Sequence, residues 1–289
     1  MTLRVEVLRQ SRLAVDLSRW ARPARDGAIL AGVVFALMIG LGLLPFPVDT
    51  HAYWSANPLA PYHPAGPQEF DGYFYSPAFV QVLAPFKALP WHAFAALWTL
   101  LLVAALAWMS GRWLALVILL PPVFIELAVG NVHLLIAAAI VLGFRWPAAW
   151  AFILLTKVTP GVGLLWFVAR REWRNLAVAL GATAAIVAVS ALIAPNLWPQ
   201  WFGLLTDRTA TDSQSLGIYA AIPLLLRLPL CAIAVVWAAR TDRPWVVPLA
   251  ATLALPVLWP NAFAVAVGAI ALLRDDRDPV RTQLRPAAA

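Results

Sequence analysis

The sequence predicts an all-α membrane protein: a polytopic bundle of about eight full transmembrane helices plus one re-entrant pair of half-helices. Three observations support this prediction. Of the 289 residues, 62% are hydrophobic, only 12% are charged, and the mean hydropathy is +0.79. A soluble domain carries about 25% charged residues. The net charge of +7 does not indicate a nucleic-acid partner, because the arginines gather at the two ends of the chain.

These basic ends divide the chain into three parts. Residues 1–26 form a basic N-terminal segment, 27–273 a single transmembrane domain, and 274–289 a basic tail. Cytoplasmic flanks of membrane proteins are rich in Lys and Arg, so both termini are expected to be cytoplasmic. The arginines concerned are Arg4, Arg9, Arg12, Arg19, Arg22 and Arg25 before the first span, and Arg274, Arg277, Arg281 and Arg285 after the last.

The first half of the domain contains four predicted spans and one long outer loop. The first span covers 27–45 and leads into an outer loop at 46–90, where many prolines prevent a long helix. The apolar piece at 77–89 is too short to cross the bilayer, so we expect a re-entrant or interfacial helix there. The next three spans are predicted at 91–109, 113–128 and 133–144.

The stretch from 146 to 168 does not fit a single span. A full crossing would place Arg170 and Arg171 outside, against the positive-inside rule. Its interior, Thr156-Lys157-Val158-Thr159-Pro160-Gly161, is charged and breaks helices. Two half-helices, 147–156 and 161–169, that meet near Lys157 and return to the cytoplasm resolve both conflicts. Three further spans at 175–195, 216–239 and 245–259, a second outer loop at 196–215 and a short returning piece at 262–273 complete the domain.

Asp49 is the leading candidate for a catalytic residue. It follows the first span directly, so it emerges at the outer membrane interface, where an ionisable group is costly without a partner or a function. The alternative is a solvated Asp that caps the next helix. The same loop is rich in aromatic residues, which are either interfacial anchors or a stacking wall for a sugar or lipid headgroup. These are Tyr53, Trp54, Tyr62, Tyr73 and Tyr75.

Four cations lie away from the cytoplasmic side in this topology and are candidates for phosphate contact: Lys87, Lys157, Arg208 and Arg227. Snorkelling is the alternative for Lys157, and either snorkelling or pairing with a carboxylate for Arg227. At the turn Gly130-Asn131-Val132-His133, the acid Glu126, the amide and the imidazole are expected to line a polar cavity, unless His133 is only an interfacial residue.

This combination of residues suits glycosyl transfer from a lipid-phosphate donor. Asp49 would take the proton of an acceptor hydroxyl, and a cation would stabilise the leaving phosphate. A single displacement of this kind inverts the anomeric centre. No HExxH or CxxC spacing occurs, so we expect neither a metal nor another cofactor. Cys231 is the single cysteine, which excludes a disulfide framework within the chain.

Five motifs in this order resemble glycosyltransferase family 87, the polyprenyl-phosphate-mannose-dependent alpha-1,2-mannosyltransferase type with the membrane glycosyltransferase C fold. They are Val48-Asp49-x-x-x-Tyr53-Trp54, Phe74-Tyr75-Ser76-Pro77, Gly130-Asn131-Val132-His133, Lys157-x-x-Pro160 ahead of Arg170-Arg171-x-Trp173-Arg174, and Ser213-Gln214-Ser215-Leu216. The resemblance implies that Asp49 is the general base, acting on a glycolipid or lipid-linked glycan at the outer face of the cytoplasmic membrane. One departure is Trp259-Pro260-Asn261, where the family often has His after the Trp, so that Asn261 offers only a neutral hydrogen bond.

Residues and resemblance together predict a hexosyltransferase, with mannose favoured by the resemblance alone. Asp49 is the predicted catalytic residue. The predicted substrate contacts are His51, Tyr53, Trp54, Tyr75, Asn131, His133, Lys157, Arg208, Gln214, Trp259 and Asn261. The alternative is a non-catalytic translocase or accessory subunit for lipid-linked sugars. A translocase would line a route through the whole bilayer with polar residues, whereas here they gather on the outer side, which favours the enzyme.

Overall fold

The computed structural model describes residues 2–45, 47–62, 71–211 and 223–275, and these ranges contain helices and no strand. The α-helices are α1 (Thr2–Gly40), α2 (Val48–Ser55), α3 (Pro77–Leu83), α4 (Trp91–Ser110), α5 (Leu114–Val117), α6 (Pro121–Val129), α7 (His133–Gly143), α8 (Trp150–Thr156), α9 (Leu165–Ala169), α10 (Trp173–Ile193), α11 (Leu197–Thr211), α12 (Leu224–Arg240), α13 (Val246–Leu253) and α14 (Gly268–Asp275). Short 3₁₀ helices at Ala84–Ala88, Gly111–Trp113, Pro147–Ala149, Thr159–Leu164 and Pro260–Val267 connect several of them.

Within these ranges, three helical segments are long and apolar enough to cross a membrane: Trp20–Gly40, Trp91–Val117 and Trp173–Ile193. A fourth results if α6 and α7, which meet at an angle of 109°, count as one broken span. The membrane-helix character is therefore confirmed, while the count of about eight spans and the cytoplasmic termini stay predictions. The first crossing differs from the predicted 27–45. It starts at Trp20 and ends at Gly40, because α1 runs on without a break from the basic segment.

Close packing of small residues joins α1 to α4. A Cβ atom added at Gly32 would lie 2.7 Å from the side chain of Val103, and one at Gly40 would lie 2.9 Å from the Cβ of Ala96. Membrane helices associate mainly through such van der Waals contact, which small residues permit. On its buried side α4 carries Trp98, which contacts Tyr53, so this pair forms a wall against which α2 packs.

Proline and glycine divide the region predicted as one span at 113–128. Gly111 has a positive φ of 54° and begins a 3₁₀ turn, after which α5 is only four residues long. Pro121 and Pro122 lack a backbone N–H, so they can start α6 but cannot continue α5. The predicted single helix is therefore replaced by α5 and α6. The turn predicted at 130–133 is present, with Gly130 in the left-handed region at φ 71°.

The two predicted half-helices are present around Lys157. The first consists of a 3₁₀ turn and α8 and ends at Thr156, and the second is the 3₁₀ helix Thr159–Leu164 followed by α9. Lys157 itself is extended, with φ −136° and ψ 104°. From this break the ammonium group of Lys157 reaches the α6–α7 corner, where it lies 2.9 Å from His133 Nε2.

Two further regions differ from the prediction. The second outer loop, predicted at 196–215, contains α11, and its residues 212–215 lie outside the described part. The predicted span at 245–259 is helical only to the end of α13. Arg227 of α12 donates hydrogen bonds of 2.7, 2.9 and 2.9 Å to the carbonyls of Leu253, Leu255 and Pro256. Its guanidinium thus satisfies the irregular backbone that follows α13, rather than facing the outer side as a phosphate contact.

Candidate active site

Two hydrogen bonds to one carbonyl hold the α6–α7 corner, one from α2 and one from α4. Thr50 Oγ1 donates to Gly130 O at 3.0 Å, and Trp98 Nε1 donates to the same oxygen at 2.8 Å. A side chain at position 130 would collide with the Thr50 hydroxyl, and the positive φ favours glycine there. This close approach brings Asp49, on α2, next to Asn131 on the corner.

Asp49 is half-buried and held by one amide. Asn131 Nδ2 donates to Asp49 Oδ2 at 2.7 Å, and Asn131 Oδ1 accepts from the backbone N–H of Val132 at 2.7 Å. Oδ1 of Asp49 has no hydrogen-bond partner among the described residues. The carboxylate lies in the first turn of α2 and makes no capping bond, since the N-cap is Pro47 without a side-chain bond. The alternative of a solvated helix cap is therefore wrong.

Burial sets the protonation of this carboxylate. Removal from water raises the pKa of Asp49 from 3.8 to about 6, outweighing the hydrogen bond from Asn131 and the charge of Lys157, which act in the opposite direction. A base whose pKa lies just below neutral pH is mostly ionised at pH 7 and still accepts a proton readily. Asp49 therefore has the protonation behaviour that a general base needs.

Tyr53 and Tyr75 form the inner wall behind Asp49. Their hydroxyls are 2.9 Å apart, and Tyr75 OH donates to Asn131 Oδ1 at 3.2 Å. Only 1% of Tyr53 and 8% of Tyr75 are exposed, and both rings pack against Phe79. The expectation that these two tyrosines are interfacial anchors is wrong, because both are buried, and their contact with a substrate stays a prediction. Tyr75 holds the amide of Asn131 directly, and Tyr53 holds the hydroxyl of Tyr75.

A buried polar cluster lies on the other side of Asn131. Glu126 is fully buried and accepts hydrogen bonds from His133 N at 2.6 Å and from Asn261 Nδ2 at 2.9 Å. His133, 1% exposed, has Nδ1 at 2.9 Å from Glu126 Oε2 and Nε2 at 2.9 Å from Lys157 Nζ. The Lys157 ammonium also lies 5.9 Å from the centre of the Tyr75 ring. The alternatives of an interfacial His133 and a snorkelling Lys157 are therefore wrong.

His51 and Trp54 belong to a separate contact at the outer end of α2. His51 Nδ1 lies 2.6 Å from Asp71 Oδ1, and the ring packs edge-on against Trp91 with 4.7 Å between centroids. Trp54 Nε1 donates to Leu89 O at 3.0 Å. Both side chains therefore tie α2 to the chain around it while staying partly exposed.

The remaining predicted contacts are not brought into this cluster. Trp259 precedes the 3₁₀ helix that carries Asn261 and is 37% exposed. Arg208 lies in α11, where only its backbone is described, and Gln214 lies outside the described residues. Glu126 was named as lining a polar cavity but was not among the predicted substrate contacts. The sequence signal that could have identified Glu126 as a site residue is its position seven residues before His133, on the other side of a glycine turn. Among the described residues, no group of His, Cys, Asp and Glu could hold a metal ion.

A comparison with known protein families identifies the chain. The sequence profile of glycosyltransferase family 87 matches residues 73–279, which is more than half of the chain. The match includes the whole buried polar cluster, while Asp49 and the rest of α2 precede it. No curated protein and no solved structure gave a match. The apolar helices agree with a membrane location, and the resemblance seen in the motifs is confirmed at the level of the family. The chain belongs to glycosyltransferase family 87 and is a membrane glycosyltransferase.

Proposed function

We propose that the protein transfers a hexose, with mannose favoured, from a polyprenyl-phosphate sugar to a hydroxyl of a glycolipid or lipid-linked glycan at the outer face of the cytoplasmic membrane. The observation that carries the proposal is the arrangement of Asp49 and Lys157 around Asn131 and Tyr75. The half-buried carboxylate of Asp49 has one oxygen that makes no hydrogen bond with a described residue. The ammonium group of Lys157 lies near enough to lower the pKa of this carboxylate.

The reaction needs one base and one cation. The acceptor oxygen attacks the anomeric carbon as the bond from that carbon to the phosphate oxygen breaks. Asp49 takes the proton of the acceptor hydroxyl, and the electron pair of the broken bond stays on the polyprenyl phosphate. Lys157 is the residue that we assign to this leaving phosphate, because charge develops there as the bond breaks. With no covalent sugar–enzyme intermediate, the product has the inverted anomeric configuration.

An apolar groove of about 490 Å³ between α4, α7 and α8 supports a lipid-linked donor. Its lining includes Leu101, Trp108, Leu135, Leu142 and Phe152. Two residues of this lining, Leu135 and Phe152, lie on α7, which begins at His133, and on α8, which ends just before Lys157. In this proposal, the isoprenoid chain of a donor whose phosphate is bound by Lys157 would lie along the apolar surface of these two helices.

Asn261 does not serve as a replacement for a phosphate-binding imidazole in this proposal. Its amide donates to the fully buried Glu126, and the imidazole of the cluster comes from His133. The choice of mannose as the favoured sugar rests on the family resemblance alone. A non-catalytic translocase or accessory subunit, the alternative considered above, is disfavoured because family 87 is a family of glycosyltransferases.

The test is transfer by the purified protein from a panel of polyprenyl-phosphate sugars, with the anomer of the product determined by NMR. We expect transfer with inversion, and Lys157→Met should raise the donor KM and lower kcat by about 100-fold, as removal of one charge-stabilising donor does elsewhere. Lys87→Met is the matched comparison, because Lys87 is the other lysine of the chain. Transfer from a nucleotide sugar alone, retention of configuration, or a larger effect of Lys87→Met would contradict the proposal.

A further inference from the structure

Glu126 is a buried carboxylate surrounded by hydrogen-bond donors. The backbone N–H groups of His133 and Leu134 donate to Oε1 at 2.6 and 3.4 Å, and Asn261 Nδ2 donates to Oε2 at 2.9 Å. The side chain is 0% exposed. All three of these donors are neutral N–H groups, and both carboxylate oxygens act as acceptors. The sharp corner between α6 and α7, closed by Gly130, turns this carboxylate back onto the first residue of α7.

The contacts of His133 define which ring nitrogen carries its proton. Nε2 lies 2.9 Å from Lys157 Nζ, and Nδ1 lies 2.9 Å from Glu126 Oε2. An ammonium group can only donate, so Nε2 must accept, and the proton of a neutral imidazole is then on Nδ1. Hydrogen bonds therefore run in one direction, from Lys157 to His133 to Glu126.

We propose that Glu126 and His133 are positioning residues for the reaction: together they fix the His133 tautomer whose Nε2 holds the Lys157 ammonium at the site of phosphate departure. This chain of three side chains is called the buried relay below. The role of Lys157 in this proposal rests on the proposed function, whereas the tautomer of His133 does not depend on it. A lysine side chain has many rotamers, so an acceptor buried at its tip removes the entropy cost of orienting it during the reaction.

Glu126→Gln tests the relay because it changes donors and acceptors with almost no change in shape. The carboxamide has a single oxygen, which the two backbone N–H groups of α7 would retain. Its NH₂ group would then replace Oε2 and face both the Asn261 amide and His133 Nδ1. Asn261 can turn its amide over and accept with its oxygen, whereas Nδ1 can accept only if the ring proton moves to Nε2. That proton would point at the Lys157 ammonium, so the ammonium would lose its acceptor and turn away. The substitution thus acts on Lys157 without touching substrate.

The first readout is NMR of protein labelled with ¹⁵N-histidine, in detergent and without donor, with the His133 signals identified by their loss in His133→Gln. The ¹⁵N shifts distinguish protonated from unprotonated ring nitrogens. We expect a neutral His133 with its proton on Nδ1 in the wild type and on Nε2 in Glu126→Gln. A wild-type proton on Nε2, or a doubly protonated ring at pH 7, would overturn the proposal, even where the variant does not fold.

The second readout is a double-mutant cycle with Lys157→Met. Residues that act through one another are not additive, so Glu126→Gln should lower kcat/KM about 10- to 100-fold alone and add nothing in the double variant. Additive losses, or full activity of Glu126→Gln, would reject the positioning role. Thr252→Val is the matched control, because it removes another buried hydrogen bond, from Thr252 Oγ1 to Pro248 O. If Lys157→Met alone leaves transfer unchanged, the proposed phosphate contact fails while the tautomer result still stands.

Discussion

Replacement of Asn131 by Leu should move the pH dependence of the reaction. In the wild type, kcat/KM should fall as pH falls through about 6, because protonated Asp49 cannot accept the acceptor's proton and burial raises its pKa to about 6. Leu has nearly the shape of Asn but removes the 2.7 Å hydrogen bond to Asp49 Oδ2. Such a bond to a charged group contributes about 1.5–3 kcal/mol, and one pKa unit corresponds to about 1.4 kcal/mol.

The variant's acidic limb should therefore lie about 1–2 units higher, near pH 7–8. At pH 7 the ionised fraction of Asp49 would fall from about nine-tenths to between about one-half and one-tenth, and kcat/KM would fall about two- to tenfold. Activity should recover toward pH 9. The assay is initial-rate transfer from pH 5 to 9.5, with Asn175→Leu as control, since Asn175 donates a similar 2.9 Å bond to the remote carboxylate of Glu172. The reasoning would be refuted if kcat/KM of Asn131→Leu still fell only near pH 6. It would also be refuted if the wild-type protein kept its full activity at pH 5.

Three further predictions concern stability and are checked by thermal unfolding of the purified protein. Gly130→Ala places a methyl group against the Thr50 hydroxyl at a positive φ, so it should lower the free energy of unfolding by about 1–3 kcal/mol. Gly181→Ala, where a methyl group would meet nothing within 4 Å, should leave the free energy of unfolding unchanged. Equal effects of the two substitutions would contradict the packing at the corner. Arg227→Met leaves the backbone carbonyls after α13 without their donor and should cost about 2–4 kcal/mol, and a loss no larger than that of the exposed Arg240→Met would reject this role. The folded-state pKa of Asp49 lies above its ordinary value, so the contribution of this group to stability is greatest below pH 3.8 and is lost as the pH rises through 6. Asp49→Asn should therefore be more stable than the wild type at pH 7.5 by about 1–3 kcal/mol. An unfolding midpoint without this gain would contradict the raised pKa of Asp49.

Local signals predicted the breaks of the chain well. The turn at Gly130 and the interruption at Lys157 follow from glycine and proline chemistry and from an ionisable residue within an apolar run. The division at Pro121 was not predicted, because 113–128 was expected to be one span. These breaks are also where the site forms, because irregular backbone in a membrane protein must find partners within the protein. Asp49 and Asn131 could be proposed for this reason before their contact was known.

What the sequence did not predict depends on contacts between distant parts of the chain. Asn261 binds Glu126 across 135 positions, and no local period indicates such a pair. Tyr53 and Tyr75 have the composition of interfacial anchors, but their rings are buried against Phe79, and hydropathy does not distinguish the two settings. The segment predicted as the second outer loop contains the helix α11, whose Trp198 and Trp201 pack into an apolar cluster with Leu155.

The central claim, that Asp49 is the base of the transferase, is tested most directly by transfer of labelled sugar from polyprenyl-phosphate mannose to membrane glycolipids by wild type and Asp49→Asn. The substitution keeps the size of the side chain and an oxygen that can accept from Asn131, but it removes the basic group. We expect the variant to fold and to lose about 100-fold or more of the wild-type rate. Equal rates for the two proteins would exclude Asp49 from the chemistry and contradict the account.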